Sequence, residues 1–213
     1  MKLLKYGENI IEKLNKFVEK LLKIPGGIYG LLSVSLGAIF IFLSYLNFPG
    51  YDMINNDVSV LGIGPGLAPL FFFISLILVG MFAIPFYIFL GRFLREKNEK
   101  LTKRAVKLSI IACIALSMIA FFPVINLVIG VIHATLAGVY FVCKCLSLIF
   151  FSLIMLRENN FSKIHAYFGF IAAGLIVFYI IVRWSIVEWI VFFAIGAWTI
   201  DISIFTLYEK LKI

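Results

Sequence analysis

Apolar residues are gathered into six long runs along the chain, separated by segments in which charged and turn-forming residues concentrate. Each run is close to or above the length of about 20 apolar residues that an α-helix needs to cross a bilayer. Because helices satisfy their backbone hydrogen bonds internally, they are the spanning structure that such runs favour. The pattern predicts an all-α, polytopic membrane helix bundle of about six transmembrane helices, at Ile28–Asn47, Leu67–Gly91, Ala105–Ile125, Leu127–Met155, His165–Arg183 and Ile186–Tyr208.

Residues 1–23 show a different pattern, in which apolar residues recur at helical spacing with lysine and glutamate between them. This pattern is typical of an amphipathic helix. Its lysines suit a position along the cytoplasmic membrane surface, against anionic headgroups. A helix packed on a partner protein or on the chain's own cytoplasmic loops is the alternative. Residues 24–213 then form the six-helix transmembrane domain, which begins at the helix-breaking segment Ile24-Pro25-Gly26-Gly27.

Composition supports this fold class and argues against others. Hydrophobic residues make up 63% of the 213 residues and charged residues 14%, whereas soluble domains have about 45–50% and about 25%. The net charge of +8 does not indicate nucleic acid binding, because the basic residues flank apolar runs and form no basic face on a soluble fold. The three cysteines all lie inside apolar runs, so no disulfide framework is expected.

The distribution of positive charge predicts the orientation. Seventeen of the nineteen lysines and arginines fall on one side if the chain crosses the membrane six times. The positive-inside rule therefore predicts a multi-pass protein of the cell membrane with its N- and C-termini in the cytoplasm. The long connection Phe48–Gly66, rich in glycine, proline, asparagine and aspartate, then lies outside.

Polar residues of the fourth run fall on one face of its helix. Asn126, His133, Tyr140, Lys144 and Ser147 form a narrow stripe at about 100° per residue. Polar side chains are costly against lipid, so this face should point into the bundle. The stripe either lines a polar cavity or forms hydrogen bonds that hold helices together, and the sequence leaves both interpretations open.

Two acids of the sixth run extend this set. Asp201 lies at nearly the same predicted depth as Lys144, and a buried charge usually needs a partner, so an ion pair between them is predicted. Glu188 lies near the outer end of its run, where it can reach the interface and pair with Arg183. The predicted ligand-cavity residues are therefore Asn126, His133, Tyr140, Lys144, Asp201 and Glu188.

His133 is also the centre of a candidate catalytic group. Asp57 and Ser59 of the outer connection can approach it, and an Asp–His pair beside a serine has the ingredients of acid–base or nucleophilic chemistry. A hydrogen-bonded structural histidine is the alternative. His133 and His165 differ in depth by roughly 20–30 Å in a core about 30 Å thick, so they cannot share a haem iron. No histidine–cysteine spacing indicates zinc, and neither metal nor cofactor is expected.

The outer connection and the fourth run resemble an uncharacterised prokaryotic membrane family, numbered 998 among domains of unknown function. The resemblance covers about the first four spans and implies a bundle of about six helices, with Asp57, Ser59 and His133 grouped on the outer side. It brings no established activity. Asn126 stands where an acid often follows the family's Phe-Pro pair. The matching features, in order, are Asp57, Ser59-Val60-Leu61-Gly62, Phe122-Pro123, His133, Ala134, Ala137 and Gly138.

Three functional hypotheses follow from the sequence. The first is binding or transport of a lipid-like or small amphipathic ligand in a polar cavity inside the bundle, opening to the outer side. The second is a membrane-embedded, lipid-modifying enzyme that uses Asp57, Ser59 and His133. The third is a structural or assembly protein whose polar residues only join helices. In each case the expected partners are membrane lipids, with no nucleic acid.

Overall fold

The structure, a computed structural model, describes residues 24–94, 98–157 and 161–211, with side chains to residue 209. The predicted amphipathic helix at residues 1–23 lies outside the described residues. The described residues form six long helices and one short 3₁₀ helix, without a strand, which confirms the predicted all-α fold class. The long helices are α1 (Gly26–Leu46), α2 (Ala68–Phe93), α3 (Glu99–Ile119), α4 (Leu127–Leu156), α5 (Lys163–Val182) and α6 (Ser185–Leu211), and the 3₁₀ helix is Val58–Ile63.

Five of these helices are long and apolar enough to cross a membrane: α1, α2, α4, α5 and α6. The exception is α3, whose first turns carry Lys100, Lys103, Arg104 and Lys107. It nevertheless runs antiparallel to α2 along the bundle, from a Thr102–Leu94 hydrogen bond to the contact between the rings of Phe121 and Phe73. The described chain thus traverses the bundle six times, while a sixth membrane span remains a prediction.

The helices form a closed ring. Each long helix packs against the next one in the chain, and α6 closes the ring by packing against α1. Small residues permit the close approaches, as at Gly30 of α1, where an added Cβ would collide with the Ser203 hydroxyl of α6. We call the end that carries Phe48–Gly66 the loop end. The opposite end, where α2 ends and α3 begins, is the basic end.

The two halves of the bundle differ in how they are filled. Near the basic end, large side chains pack into a continuous core. Near the loop end, a second cluster lies mainly between the connection Phe48–Gly66 and the ends of α2, α3 and α6. The fully buried residues of the first cluster include Phe86, Tyr87, Leu148, Phe151, Ile154, Met155, Ile176 and Trp198.

Gly80 of α2 lies where α3 comes closest. An added Cβ would lie 2.8 Å from the Cys113 carbonyl oxygen, a backbone atom that cannot turn away, and would also collide with the Ser117 hydroxyl. We expect Gly80→Ala to lower the free energy of unfolding by about 1–3 kcal/mol, the usual cost of overpacking. Thermal unfolding in detergent measures the effect.

Gly174 of α5 provides the matched control, because an added Cβ there meets no atom within 4 Å. Gly174→Ala should leave stability unchanged or raise it by about 0.5–1 kcal/mol, since alanine favours the helix. Equal effects of the two substitutions would show that α2 and α3 are not in close contact at Gly80.

Candidate functional site

A cavity of about 450 Å³ lies inside the ring, in the half nearer the loop end. Its walls come from α1, α2, α3, α4 and α6, with Val58 and Ser59 of the 3₁₀ helix at the loop end, while α5 contributes none. The walls are mostly apolar, and a few polar side chains reach them. The volume lies within the range of about 300–1,000 Å³ that is typical of small-molecule sites.

The connection Phe48–Gly66 is held across the loop end by polar contacts with the N-terminal turn of α6. Glu188 Oε2 accepts a hydrogen bond of 2.9 Å from the Val58 N–H, the first N–H of the 3₁₀ helix. Trp189 Nε1 donates to the Asn56 carbonyl at 3.2 Å. These contacts place Val58 and Ser59 in the cavity wall.

Tyr51 fixes the same connection from within. Its hydroxyl donates to the Asp57 carbonyl at 2.7 Å, and its ring packs edge-on against Trp189. Burial raises the pKa of the Tyr51 hydroxyl above its ordinary value, and the nearby carboxylate of Glu188 acts in the same direction. The hydroxyl therefore stays protonated, as a donor to Asp57 requires.

His133 of α4 lines the cavity near the loop end, with a defined ring orientation. Its Nδ1 lies 2.8 Å from the Phe122 carbonyl oxygen. A carbonyl only accepts hydrogen bonds, so Nδ1 carries the proton, and in the neutral ring Nε2 is the acceptor. Pro123 explains why no helical N–H bonds the Phe122 carbonyl, because the residue before a proline is disfavoured in a helix. For the same reason α3 ends at Ile119, short of the predicted Ile125.

Lys144 lies at the opposite end of the cavity, which we call the floor. It follows His133 by eleven positions on α4, or about 16 Å along the helix, and is only 4% exposed. Its ammonium group donates a hydrogen bond to the Tyr87 hydroxyl. It also lies 4.6 Å from the centroid of the Tyr87 ring and 5.8 Å from that of Trp198. The Trp198 ring face attracts the cation, whereas Tyr87 holds it through its hydroxyl.

The predicted Lys144–Asp201 ion pair is wrong. Asp201 Oδ2 instead lies 2.7 Å from Nδ1 of His165, toward the basic end. The reason is rotation about the α6 axis: Asp201 follows Thr199, a cavity residue, by two positions, which is about 200° around a helix. Depth alone therefore did not identify the partner.

The predicted pairing of Glu188 with Arg183 is also replaced by other contacts. The carboxylate of Glu188 bonds the Val58 N–H, and the Arg183 guanidinium lies over the Tyr179 ring at 5.7 Å. Arg183 adopts a left-handed conformation, with φ of 54°, at the tight turn between α5 and α6. Within the described residues, no ion pair joins Arg183 to Glu188.

Five of the eight predicted site residues line the cavity: Ser59, His133, Tyr140, Lys144 and Glu188. The other three do not. Asn126 is an exposed N-cap whose side chain accepts the Ile129 N–H at 2.9 Å, and Asp201 bonds His165. Asp57 lies beside the cavity wall but makes no direct hydrogen bond with His133, whose Nδ1 bonds Phe122 instead.

The sequence argument missed Tyr87, Trp198 and Thr199, which lie around Lys144. Tyr87 and Thr199 line the cavity, and Trp198 is fully buried below it. Each carries one polar group inside an apolar run, without the periodic spacing of the polar residues on α4. They come together only because α2 and α6 take their places in the ring of helices. In the described part of the chain, no group of three histidines, cysteines or acids could hold a metal ion.

The cavity has a side opening between α1 and α6. Among the residues of the cavity wall, the exposed ones are Ala38 of α1 and Phe193 and Ala197 of α6. Towards the basic end the same two helices are in close contact at Gly30 and Ser203. The gap is therefore confined to the half of the ring nearer the loop end.

Comparison with known proteins identifies a family. No curated protein and no solved structure matches the chain. The model of a family described as "Protein of unknown function (DUF998)" matches residues 31–204, a range that contains every residue of the cavity wall. This confirms the family resemblance predicted from the sequence. The chain is a membrane protein that belongs to the DUF998 family.

Proposed function

We propose that this protein binds one lipid-like or small amphipathic molecule in the cavity of its helix ring. The side opening between α1 and α6 carries the proposal, because it joins a largely apolar chamber to a surface that faces lipid in a membrane. Apolar walls accept a hydrocarbon chain, and a small number of polar groups fix its orientation. Those groups lie at the two ends of the chamber: His133 and Glu188 near the loop, and Lys144 at the floor.

The predicted orientation places this opening in the outer half of the membrane. With the basic end in the cytoplasm, as the positive-inside rule expects, Phe48–Gly66 faces outward and the ligand enters from the outer leaflet. The core around Trp198 fills the ring below the floor. Binding is therefore the function that this conformation supports, and transport would need a second conformation open towards the basic end.

The enzyme hypothesis has weaker support. It rests on a hydrogen bond between Asp57 and His133, and the Phe122 carbonyl occupies the proton-bearing nitrogen of that histidine. The hypothesis of a purely structural protein does not require the cavity to hold anything. Occupancy of the cavity therefore separates binding from assembly.

Photolabelling tests the proposal. The protein in nanodiscs is irradiated with diazirine-bearing analogues of palmitate and of hexadecanol, and labelled peptides are mapped by mass spectrometry. We expect labels on residues inside the cavity, which unlabelled amphiphile removes by competition. Ala137→Phe places a ring in the cavity wall and should reduce this labelling by about tenfold, equivalent to about 1.4 kcal/mol of binding free energy.

Ala134→Phe is the matched control, because Ala134 lies on the same helix but is exposed outside the cavity. It should leave the labelling pattern unchanged. Labels confined to outward-facing residues, insensitive to competition and to Ala137→Phe, would overturn the proposal in favour of a structural role.

A further inference from the structure

Lys144 has no acidic partner in the part of the chain that the structure describes. Its ammonium group contacts the Tyr87 hydroxyl and the Trp198 ring, both of which are neutral. Asp201, the partner predicted from the sequence, is bonded to His165. Glu188 shares the cavity wall but lies at the loop end, where it bonds the Val58 N–H.

A cation at this depth needs compensating charge. Buried charges inside membrane spans are usually paired, and an unpaired one carries a large desolvation cost. The hydrogen bond to Tyr87 and the cation–π contact with Trp198 offset part of that cost. The remaining open side of Lys144 faces the cavity, so an anion can reach it only as part of whatever occupies that space.

We infer that the ligand is a single-chain lipid acid whose carboxylate binds Lys144 at the floor of the cavity. This inference rests on the proposed function, and it adds the ligand's chemical class and its direction. The carboxylate lies deepest, and the hydrocarbon chain extends along the apolar wall past Ala137 towards the loop end and the side opening between α1 and α6.

The charge at the floor favours a carboxylate over a phosphate. Lys144 supplies one positive charge, which one carboxylate neutralises, whereas a doubly ionised phosphate monoester would bring a second charge into the same apolar space. The Tyr87 hydroxyl, already bonded to Lys144, provides a neutral polar neighbour for the headgroup. Thr199 adds a second hydroxyl-bearing residue to this part of the wall.

Competition for cavity photolabelling tests the inference. Unlabelled palmitate, hexadecanol, hexadecylamine and hexadecyl phosphate compete with the diazirine-bearing hexadecanol, on the wild-type protein and on Lys144→Met and Lys144→Arg. Palmitate should compete on the wild type at a concentration at least about tenfold lower than hexadecanol, as expected for a hydrogen bond to a charged group. Lys144→Met should bring the effective concentrations of palmitate and hexadecanol together, whatever its total labelling, and Lys144→Arg should keep them apart.

The outcomes separate this inference from the proposed function. Cavity labelling without any preference for palmitate overturns the lipid-acid inference and leaves amphiphile binding standing. A preference for hexadecylamine or hexadecyl phosphate also overturns it. Absence of cavity labelling by every analogue removes the proposed function and the inference together. Thermal unfolding compares Lys144→Met and Lys144→Arg with the wild type and reports whether each variant is folded.

Discussion

Replacing Trp198 by alanine should lower the free energy of unfolding by about 3–5 kcal/mol, the usual cost of removing a large aromatic side chain from a core. Trp198 is fully buried on α6 and joins three neighbours. Its ring lies 6.3 Å from that of Phe151 on α4, Lys144 lies over its face, and its Nε1 lies near Gly169 of α5. Alanine would leave a void where three helices meet.

Trp184 is the matched control. It is the same residue type but is 63% exposed, immediately before α6, so Trp184→Ala should change stability by less than about 0.5 kcal/mol. Trp198→Phe should cost less than Trp198→Ala, because it preserves most of the ring and removes an N–H that has no partner among the described residues. Thermal unfolding in one detergent compares all three. Equal losses at the two tryptophans would contradict the buried position of Trp198.

The helices could be predicted because the membrane imposes their length and composition. A bilayer allows few backbone structures, so the apolar runs alone located six helices to within a few residues at most of their ends. The largest errors were at the two ends of α3, which was predicted at Ala105–Ile125 and found at Glu99–Ile119. Pro123 was visible in the sequence, but hydrophobicity continues across it and hides the end of the helix.

The inward face of α4 could also be predicted, since helical periodicity fixes which side chains share a face. His133, Lys144 and Ser147 are indeed buried. The partners of those residues could not be predicted, because they depend on how each neighbouring helix is rotated about its axis. Asp201 has the right depth for Lys144 and the wrong direction. The volume of the cavity depends on side-chain packing across five helices, which no local pattern records.

The fold of the connection Phe48–Gly66 shows the same limit. Its turn-forming composition indicated a loop, yet its Tyr51 packs edge-on against Trp189 of α6, which is far away in sequence. An aromatic residue in a predicted loop can indicate that the loop is packed. It does not indicate which residue it packs against. Glu188 lies in the first turn of its helix, at the loop end, but its bond to the Val58 N–H depends on the fold of the loop.

Glu188→Ala should release the 3₁₀ helix from α6. The side chain accepts the Val58 N–H at 2.9 Å from a position across the loop end, and a hydrogen bond to a carboxylate contributes about 1.5–3 kcal/mol. Alanine would leave the first N–H of the 3₁₀ helix without its acceptor. We expect faster hydrogen exchange at Val58 and at its neighbours in the connection, while the amides of α2 and α4 keep their protection.

Glu188→Gln separates this contact from a general effect of substitution at the site. Glutamine keeps an oxygen at the same reach, so exchange at Val58 should rise less than in Glu188→Ala. Unchanged exchange in Glu188→Ala would show that Trp189 and Tyr51, which also bond the connection, hold it without the carboxylate.

The contact between Glu188 and Val58 bears on the cavity as well, because Val58 and Ser59 form its wall at the loop end. If the carboxylate holds that wall, photolabels from the water-facing side should enter Glu188→Ala and not Glu188→Gln, whereas the side opening between α1 and α6 stays equally accessible in both.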